Sequence, residues 1–153
     1  MELLYWLESI RTPIGDTFFS LITHFGEETL FIIAGLLFFW CIDKMEGYFL
    51  LSVGLSGTVI NQFLKLWFRI PRPWVKDPNF TIVESARAEA TGYSFPSGHS
   101  ATSVAVYGLL FYLIRKHCKN PLAKNVLSGL CLFLAVGVGP SRLYVGVHWF
   151  TDV

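Results

Sequence analysis

Four long stretches without a charged residue restrict the fold of this chain more than any other feature of its sequence. A helix that crosses the hydrocarbon core of a bilayer needs about 20 mostly apolar residues, within a range of about 17 to 25. Two of the stretches reach this range alone, and the other two reach it once flanking residues are added. The stretches run from Thr29 to Ile42, Gly47 to Leu64, Ser100 to Ile114 and Asn125 to Ser141. We therefore predict an all-α, polytopic transmembrane helix bundle with spans at about residues 27–43, 47–64, 97–114 and 123–141.

The composition agrees with a membrane protein and argues against two other classes. Hydrophobic residues make up 53% of the chain and charged residues only 15%, which is unlike a soluble domain. The 12 basic residues nearly balance the 11 acidic ones, so we expect membrane lipids and not nucleic acid as partners. Three cysteines, an odd number in or beside apolar segments, argue against a disulfide framework.

The two ends of the chain differ from the four apolar stretches. Residues 1–26 alternate aromatic and charged side chains, which predicts one or two helices lying in the membrane interface. A further apolar stretch begins at about residue 145, and the chain stops at Val153. We therefore expect residues 1–153 to be a single membrane-embedded domain that is truncated within a membrane helix, with its C-terminal part missing.

Connecting the predicted spans in order collects the unusual polar residues at one membrane face. These residues are Lys65, Arg72, Ser97, His99, Arg142, His148 and Asp152. The short loop from Arg115 to Lys124 lies at the other face and contains four basic residues and no acidic one, which is typical of a cytoplasmic loop. We expect an integral protein of the plasma membrane with its polar cluster on the extracytoplasmic face.

The sequence YSFPSGHS, which precedes the third apolar stretch, has the features of a helix N-terminus. Pro96 suits a first turn and Ser97 can cap it, while Gly98 lets a ligand approach the backbone closely. Free N–H groups at such an end favour an anion, and His99 would then be a proton donor. A simple helix cap with an incidental interfacial histidine explains the same residues equally well.

Two further segments carry candidate site residues. Lys65 and Arg72 place two cations at the end of the second span, although such residues also simply extend to the interface. Near the end of the chain, Arg142 precedes His148 and Asp152, which lie one helical turn apart if this segment is helical. The carboxylate could then fix the imidazole tautomer and leave the other nitrogen as a nucleophile or a base.

Together these segments resemble the type 2 phosphatidic-acid phosphatase superfamily, which includes membrane lipid phosphatases, bacterial acid phosphatases and vanadium haloperoxidases. The family pattern is Lys, six residues and Arg-Pro, then Pro-Ser-Gly-His, then Ser-Arg, five residues, His, three residues and Asp. This chain matches the pattern without a gap between residues 65 and 152. The matching residues are Lys65, Arg72, Pro73, Pro96, Ser97, Gly98, His99, Ser141, Arg142, His148 and Asp152.

The resemblance implies a role for each matching polar residue. His148 would attack phosphorus to give a phosphohistidine, Asp152 would orient it, and His99 would protonate the leaving oxygen. The phosphate-binding residues would be Lys65, Arg72, Ser97, Gly98 and Arg142. Fixed cations and a helix terminus can neutralise phosphate without a metal ion. We therefore expect a metal-independent hydrolase with no cofactor.

The substrate expected at such an interfacial site is an amphiphilic lipid phosphate or a prenyl diphosphate. Charged residues in the loop from Trp74 to Tyr93 are expected to contact the headgroup; they are Lys76, Asp77, Glu84, Arg87 and Glu89. Two other interpretations remain. An intramembrane serine protease would pair Ser97 with His148 but would leave Lys65 and the two arginines unexplained. A transporter or scaffold would explain the spans but not the complete set of acid, nucleophile and anion-binding groups.

Overall fold

The computed structural model describes residues 1–88 and 90–153, and within them the regular elements are all helical. This confirms the predicted all-α class. The α-helices are α1 Glu2–Ser9, α2 Pro13–His24, α3 Glu28–Cys41, α4 Lys44–Phe68, α5 Pro73–Lys76, α6 Gly98–His117 and α7 Pro121–Tyr144. Two short 3₁₀ helices span Glu84–Ala86 and Phe150–Asp152.

Capping residues set where the main helices begin. The side chains of Thr12, Asp43 and Asn120 accept hydrogen bonds from the first-turn N–H groups of α2, α4 and α7. Proline follows the cap of α2 and of α7, where its missing N–H costs nothing. Ser97 caps α6 and accepts from the Ser100 N–H at 3.3 Å, which confirms the predicted cap, whereas Pro96 precedes the cap and is not in the first turn.

Close backbone contact joins α3 and α4 into a hairpin. A Cβ atom at Gly47 would overlap the Phe39 backbone, and one at Gly54 would overlap the ring of Phe31, which is almost fully buried. Helix α6 packs against both α4 and α7, and each of the three helices has a fully buried apolar side chain, namely Leu50 in α4, Leu113 in α6 and Val138 in α7. Such close packing is how helices associate in a membrane, where lipid tails compete for apolar contacts.

By length and composition, α4 and α7 could each cross a membrane, and α2 with α3 could together form a third span bent by 45°. The expected number of four spans stays a prediction. Helix α6 does not reach the same hydropathy because its first turns carry polar residues. Thr102 and Ser103 in these turns are 9% and 1% exposed, so they are covered by neighbouring helices and not presented to lipid.

Residues 145–153 differ from the further membrane helix that was expected to begin there. The chain leaves α7 after Tyr144, turns at Gly146 with φ of +85°, and forms only the short 3₁₀ helix. A left-handed φ ends an α-helix, and glycine adopts it without steric cost. Arg11, which precedes α2, stabilises this turn. Its Nε donates to the Tyr144 carbonyl at 2.9 Å, and its Nη1 donates to the Thr81 carbonyl at 2.8 Å.

Candidate active site

The predicted site residues meet at one end of the bundle. The C-terminal end of α4 supplies Lys65, the N-terminal end of α6 supplies Ser97, Gly98 and His99, and the C-terminal end of α7 supplies Arg142. Two backbone contacts connect the last residues of the chain to this end. The Ser97 N–H donates to the Asp152 carbonyl at 2.9 Å, and Arg72 Nη1 donates to the Val147 carbonyl at 2.9 Å.

His148 and Asp152 form a buried pair. His148 is 1% exposed and Asp152 is 6% exposed, and His148 Nδ1 lies 3.3 Å from Asp152 Oδ2. The same carboxylate oxygen accepts from the Trp149 N–H at 2.8 Å and from the Ser94 hydroxyl. The contact forms across a turn and a 3₁₀ helix and not along an α-helix. Three donors therefore fix the carboxylate, which in turn orients the imidazole.

The surroundings keep this imidazole neutral and the carboxylate ionised. Burial lowers the pKa of His148, and the positive charges of Arg142 and Arg72 lower it further, against the opposing effect of Asp152. Burial tends to raise the pKa of Asp152, but the hydrogen bonds from His148, Ser94 and the Trp149 N–H lower it overall. With Nδ1 carrying its proton toward Asp152, Nε2 has its lone pair available.

Arg72 faces that lone pair. Its guanidinium donates to the Gly92 carbonyl at 3.1 Å, the Thr91 carbonyl at 2.6 Å and the Val147 carbonyl, and it is 3% exposed. Its Nη1 lies 3.4 Å from His148 Nε2. Three backbone acceptors thus hold a fixed positive charge next to the nitrogen that would react.

Arg142 is held by a residue that the sequence analysis did not identify. Arg142 is completely buried, and its Nη1 donates to the hydroxyl of Thr23 at 2.9 Å. Thr23 lies near the end of α2 and is 1% exposed. No spacing pattern could have suggested this pair, because 119 positions separate the two residues.

The N-terminus of α6 is packed against α4 through Asn61, a second residue that sequence reasoning missed. Asn61 is 6% exposed and its Nδ2 donates to the Pro96 carbonyl at 3.3 Å. A Cβ atom on Gly98 would lie 3.2 Å from Asn61 Oδ1, so any larger residue at position 98 would crowd the first turn. The absence of a side chain keeps the Gly98 N–H accessible at the helix terminus.

A cavity of about 270 Å³ opens beside this helix terminus. It contains Lys65, Gly98 and His99 from the predicted site, together with acidic and polar residues from α3 and α4. The full lining is Gly26, Glu27, Glu28, Thr29, Thr58, Asn61, Gln62, Lys65, Thr91, Gly98, His99 and Thr102. Arg72, Arg142 and His148 are almost completely buried at the same end of the bundle.

The chain is similar to proteins of one known family. A family model described as the PAP2 superfamily matches residues 46–153. Phosphatidylglycerophosphatase B of Bacillus subtilis (strain 168) is 33% identical over 152 residues, which cover 94% of this chain and 69% of that protein. A probable sphingosine-1-phosphate phosphatase of Dictyostelium discoideum is 31% identical over 155 residues, which cover 96% of this chain and 36% of that protein.

A solved structure has the same fold. The crystal structure of the first transmembrane PAP2 type phosphatidylglycerolphosphate phosphatase, from Bacillus subtilis, matches with a TM-score of 0.79 and 31% sequence identity. The match covers 99% of this chain and 74% of that one. The similarity therefore extends over both the helices and the segments that carry the site residues.

Proposed function

The chain belongs to the PAP2 superfamily, and from this premise we propose that it is a membrane-integral phosphatase that hydrolyses a lipid phosphate or prenyl diphosphate through a phosphohistidine. The observation that carries the proposal is the buried His148, whose Nδ1 is 3.3 Å from Asp152 while its Nε2 is 3.4 Å from Arg72. A neutral imidazole with one nitrogen anchored and the other facing a cation is suited to attack an anionic phosphoryl group.

In the first step, His148 Nε2 forms a bond to phosphorus while the bond from phosphorus to the lipid oxygen breaks. His99 donates a proton to that oxygen, so the lipid leaves as an alcohol when the substrate is a monoester and as a lipid monophosphate when it is a diphosphate. Asp152 stabilises the positive charge that develops on the His148 ring. In the second step, water attacks phosphorus, the phosphorus–nitrogen bond breaks, and His99 takes a proton from the water. Inorganic phosphate and neutral His148 result.

Charge stabilisation in this mechanism comes from three cations and a helix terminus. Lys65, Arg72 and Arg142 would surround the non-bridging phosphate oxygens, and the Ser97 side chain and the Gly98 N–H group would complete the site. Donors fixed in advance stabilise a developing charge most strongly, and Arg72 and Arg142 are already held by backbone or side-chain acceptors. This set of cations is the basis for proposing that no metal ion is needed.

The serine protease alternative gains less support from the geometry. The Ser97 hydroxyl oxygen accepts from the Ser100 N–H at 3.3 Å and from the Ser100 hydroxyl at 2.9 Å. The serine next to the imidazole is Ser94, whose Oγ lies 3.5 Å from His148 Nδ1 and donates to Asp152. A hydroxyl that donates to the carboxylate helps to position the pair and is not activated by the histidine.

We propose the plasma membrane as the location and the extracytoplasmic face as the side of the site. The opposite end of the bundle carries Arg115 and Lys116 at the end of α6, where Lys116 forms an ion pair with Glu46 of α4. A basic end on the cytoplasmic side agrees with the positive-inside tendency. The substrate phosphate would then lie at headgroup depth with its tail in lipid.

Charged residues in the segment from Trp74 to Tyr93 make contacts within the protein. Asp77 accepts from the Tyr5 hydroxyl at 2.7 Å, and Lys76 lies over the Trp149 ring with 5.5 Å to its centroid. Glu84 and Arg87 form an ion pair with each other at 3.0 Å. Glu89 lies outside the described residues. These internal contacts reduce the number of charges available to bind a headgroup.

The experiment that tests the proposal measures phosphate release by the complete protein in detergent or vesicles. Phosphatidate, phosphatidylglycerol phosphate and a prenyl diphosphate are compared for the wild type, His148→Ala and His117→Ala. We expect turnover by the wild type, no turnover and no acid-labile phosphoenzyme with His148→Ala, and near wild-type rates with His117→Ala at the other end of the bundle. Wild-type turnover by His148→Ala would refute the nucleophile assignment.

A further inference from the structure

One face of α4 connects the cation site to an acidic group. Thr58, Asn61, Gln62 and Lys65 all line the cavity, and their spacing of three, four and seven residues places them along one side of the helix. At a rise of about 1.5 Å per residue, this face extends about 10 Å from Lys65 to Thr58. The cavity is therefore long enough to hold a phosphate and the first few atoms attached to it.

Glu28 lies at the far end of this face. It is the first residue of α3, and its Oε1 accepts from the Thr58 hydroxyl at 3.1 Å. Glu27 lines the same cavity and pairs with His24. A carboxylate anchored by a threonine has acceptor capacity beyond that single hydrogen bond, because an ionised carboxylate offers about four lone-pair sites.

A carboxylate at this position is unexpected if the cavity only binds anions. Glu28 lines the same cavity as Lys65 and Gly98, so a lipid ester whose phosphate contacts Lys65 and the α6 terminus could extend its alcohol part toward Glu28. A hydroxyl or ammonium group there would donate to the carboxylate, whereas a second phosphate there would be repelled by it. The charges of the cavity are thus ordered, with Lys65 at one end and Glu28 at the other.

We propose that Glu28, anchored by Thr58, forms a donor-binding subsite that selects lipid monophosphates carrying an ammonium or hydroxyl group close to the phosphate ester. Diphosphates are disfavoured because their inner phosphate occupies the same place. The inference rests on the phosphatase function proposed above and names the substrate class of that site. It separates two substrate classes that the catalytic residues alone do not distinguish.

The test uses Glu28→Gln, which removes the charge while an amide oxygen can still accept from Thr58. Three substrates are compared in the complete protein: sphingosine 1-phosphate, which has an ammonium group; an alkyl monophosphate of equal chain length without donors; and farnesyl diphosphate. We expect kcat/KM for the first to fall about tenfold or more, mainly through KM, because the subsite is remote from phosphorus. The alkyl monophosphate should change by less than about threefold, and the diphosphate should improve.

Two further variants keep the result interpretable. Thr58→Val has a similar shape and should weaken the same preference in part, because Glu28 loses its anchor. Glu2→Gln makes the same chemical change at an exposed position of α1 and should alter no substrate ratio. Melting temperatures establish that each variant is folded. A glycerol-based lipid monophosphate with a free hydroxyl, added as a fourth substrate, distinguishes a hydroxyl donor from an ammonium donor.

The outcomes separate this inference from the proposed function. If the wild type hydrolyses none of the substrates, the phosphatase proposal itself fails. If it hydrolyses them but Glu28→Gln leaves every ratio of kcat/KM unchanged, the donor-binding subsite is refuted and the phosphatase proposal stands. A wild type that prefers farnesyl diphosphate over sphingosine 1-phosphate would also refute the subsite.

Discussion

Replacing Gly146 with alanine should displace the turn that carries His148. Gly146 has φ of +85°, and an alanine Cβ there would lie 2.6 Å from Arg11 Nη2 and 3.0 Å from Phe80 Cε1. Arg11 cannot move away freely, because its Nε and Nη1 donate to the carbonyls of Tyr144 and Thr81. Phe80 is 3% exposed and has little space to shift.

Two effects add to the cost of this substitution. A residue with a Cβ atom in the left-handed region loses about 1–2 kcal/mol. Crowding in a packed region costs about 1–3 kcal/mol, whether Arg11 gives up a hydrogen bond or the turn shifts. The free energy of unfolding should therefore fall by about 2–5 kcal/mol, which corresponds to a melting temperature lower by roughly 5 °C or more. A shift of about 1 Å at His148 would reduce kcat by about 100-fold.

The assay is thermal unfolding of the purified protein in detergent, followed by intrinsic tryptophan fluorescence, together with phosphate release at a temperature where the variant is folded. Gly108→Ala is the matched control, because a Cβ there meets nothing within 4 Å; it should not lower the melting temperature. Equal melting temperatures for Gly146→Ala and the wild type would refute the reasoning.

Two other predictions concern the chemistry. His99→Ala should slow alkyl phosphates at least about 100-fold but aryl phosphates with good leaving groups much less, because only the former need a general acid; steady-state rates on both classes check this, and equal slowing would mean that His99 acts in binding. Excess chelator should leave full activity, and vanadate should bind more tightly than phosphate because it adopts the five-coordinate geometry of the transition state. Inhibition constants and metal add-back measure this, and activity that is lost with chelator and restored by magnesium would contradict the proposed mechanism.

The sequence predicted those features that depend on neighbouring residues. Ser97 caps α6 because the rule for a helix N-terminus involves only the next few positions. His148 and Asp152 meet because residues four apart remain close in a tight turn as well as in a helix. The helical class followed from the apolar stretches alone, since a backbone inside a bilayer must satisfy its own hydrogen bonds.

Contacts between distant residues could not be predicted in this way. The hydroxyl of Thr23 and the guanidinium of Arg142 are joined only by the packing of α2 against α7, and nothing around Thr23 distinguishes it from other interfacial threonines. Arg11 and Tyr144 are 133 positions apart. The sequence did indicate where α7 ends, since Gly146 follows the apolar stretch at a position typical of a helix C-terminus. The mostly apolar residues from there to Val153 nevertheless favoured a further helix.

The polar first turns of α6 also affect how the protein is made. If α6 entered the lipid from the translocon without another helix, little free energy would be gained. Each hydroxyl group would lose its hydrogen bonds to water before it could form hydrogen bonds to other helices. Helix α7 follows α6 after a connection of only three residues, and it is long and apolar enough to cross a membrane. We expect α6 to remain at the translocon until α7 is synthesised and to enter the bilayer with it as a hairpin. The hydroxyl groups that shape the site would then be desolvated only when their protein partners are present.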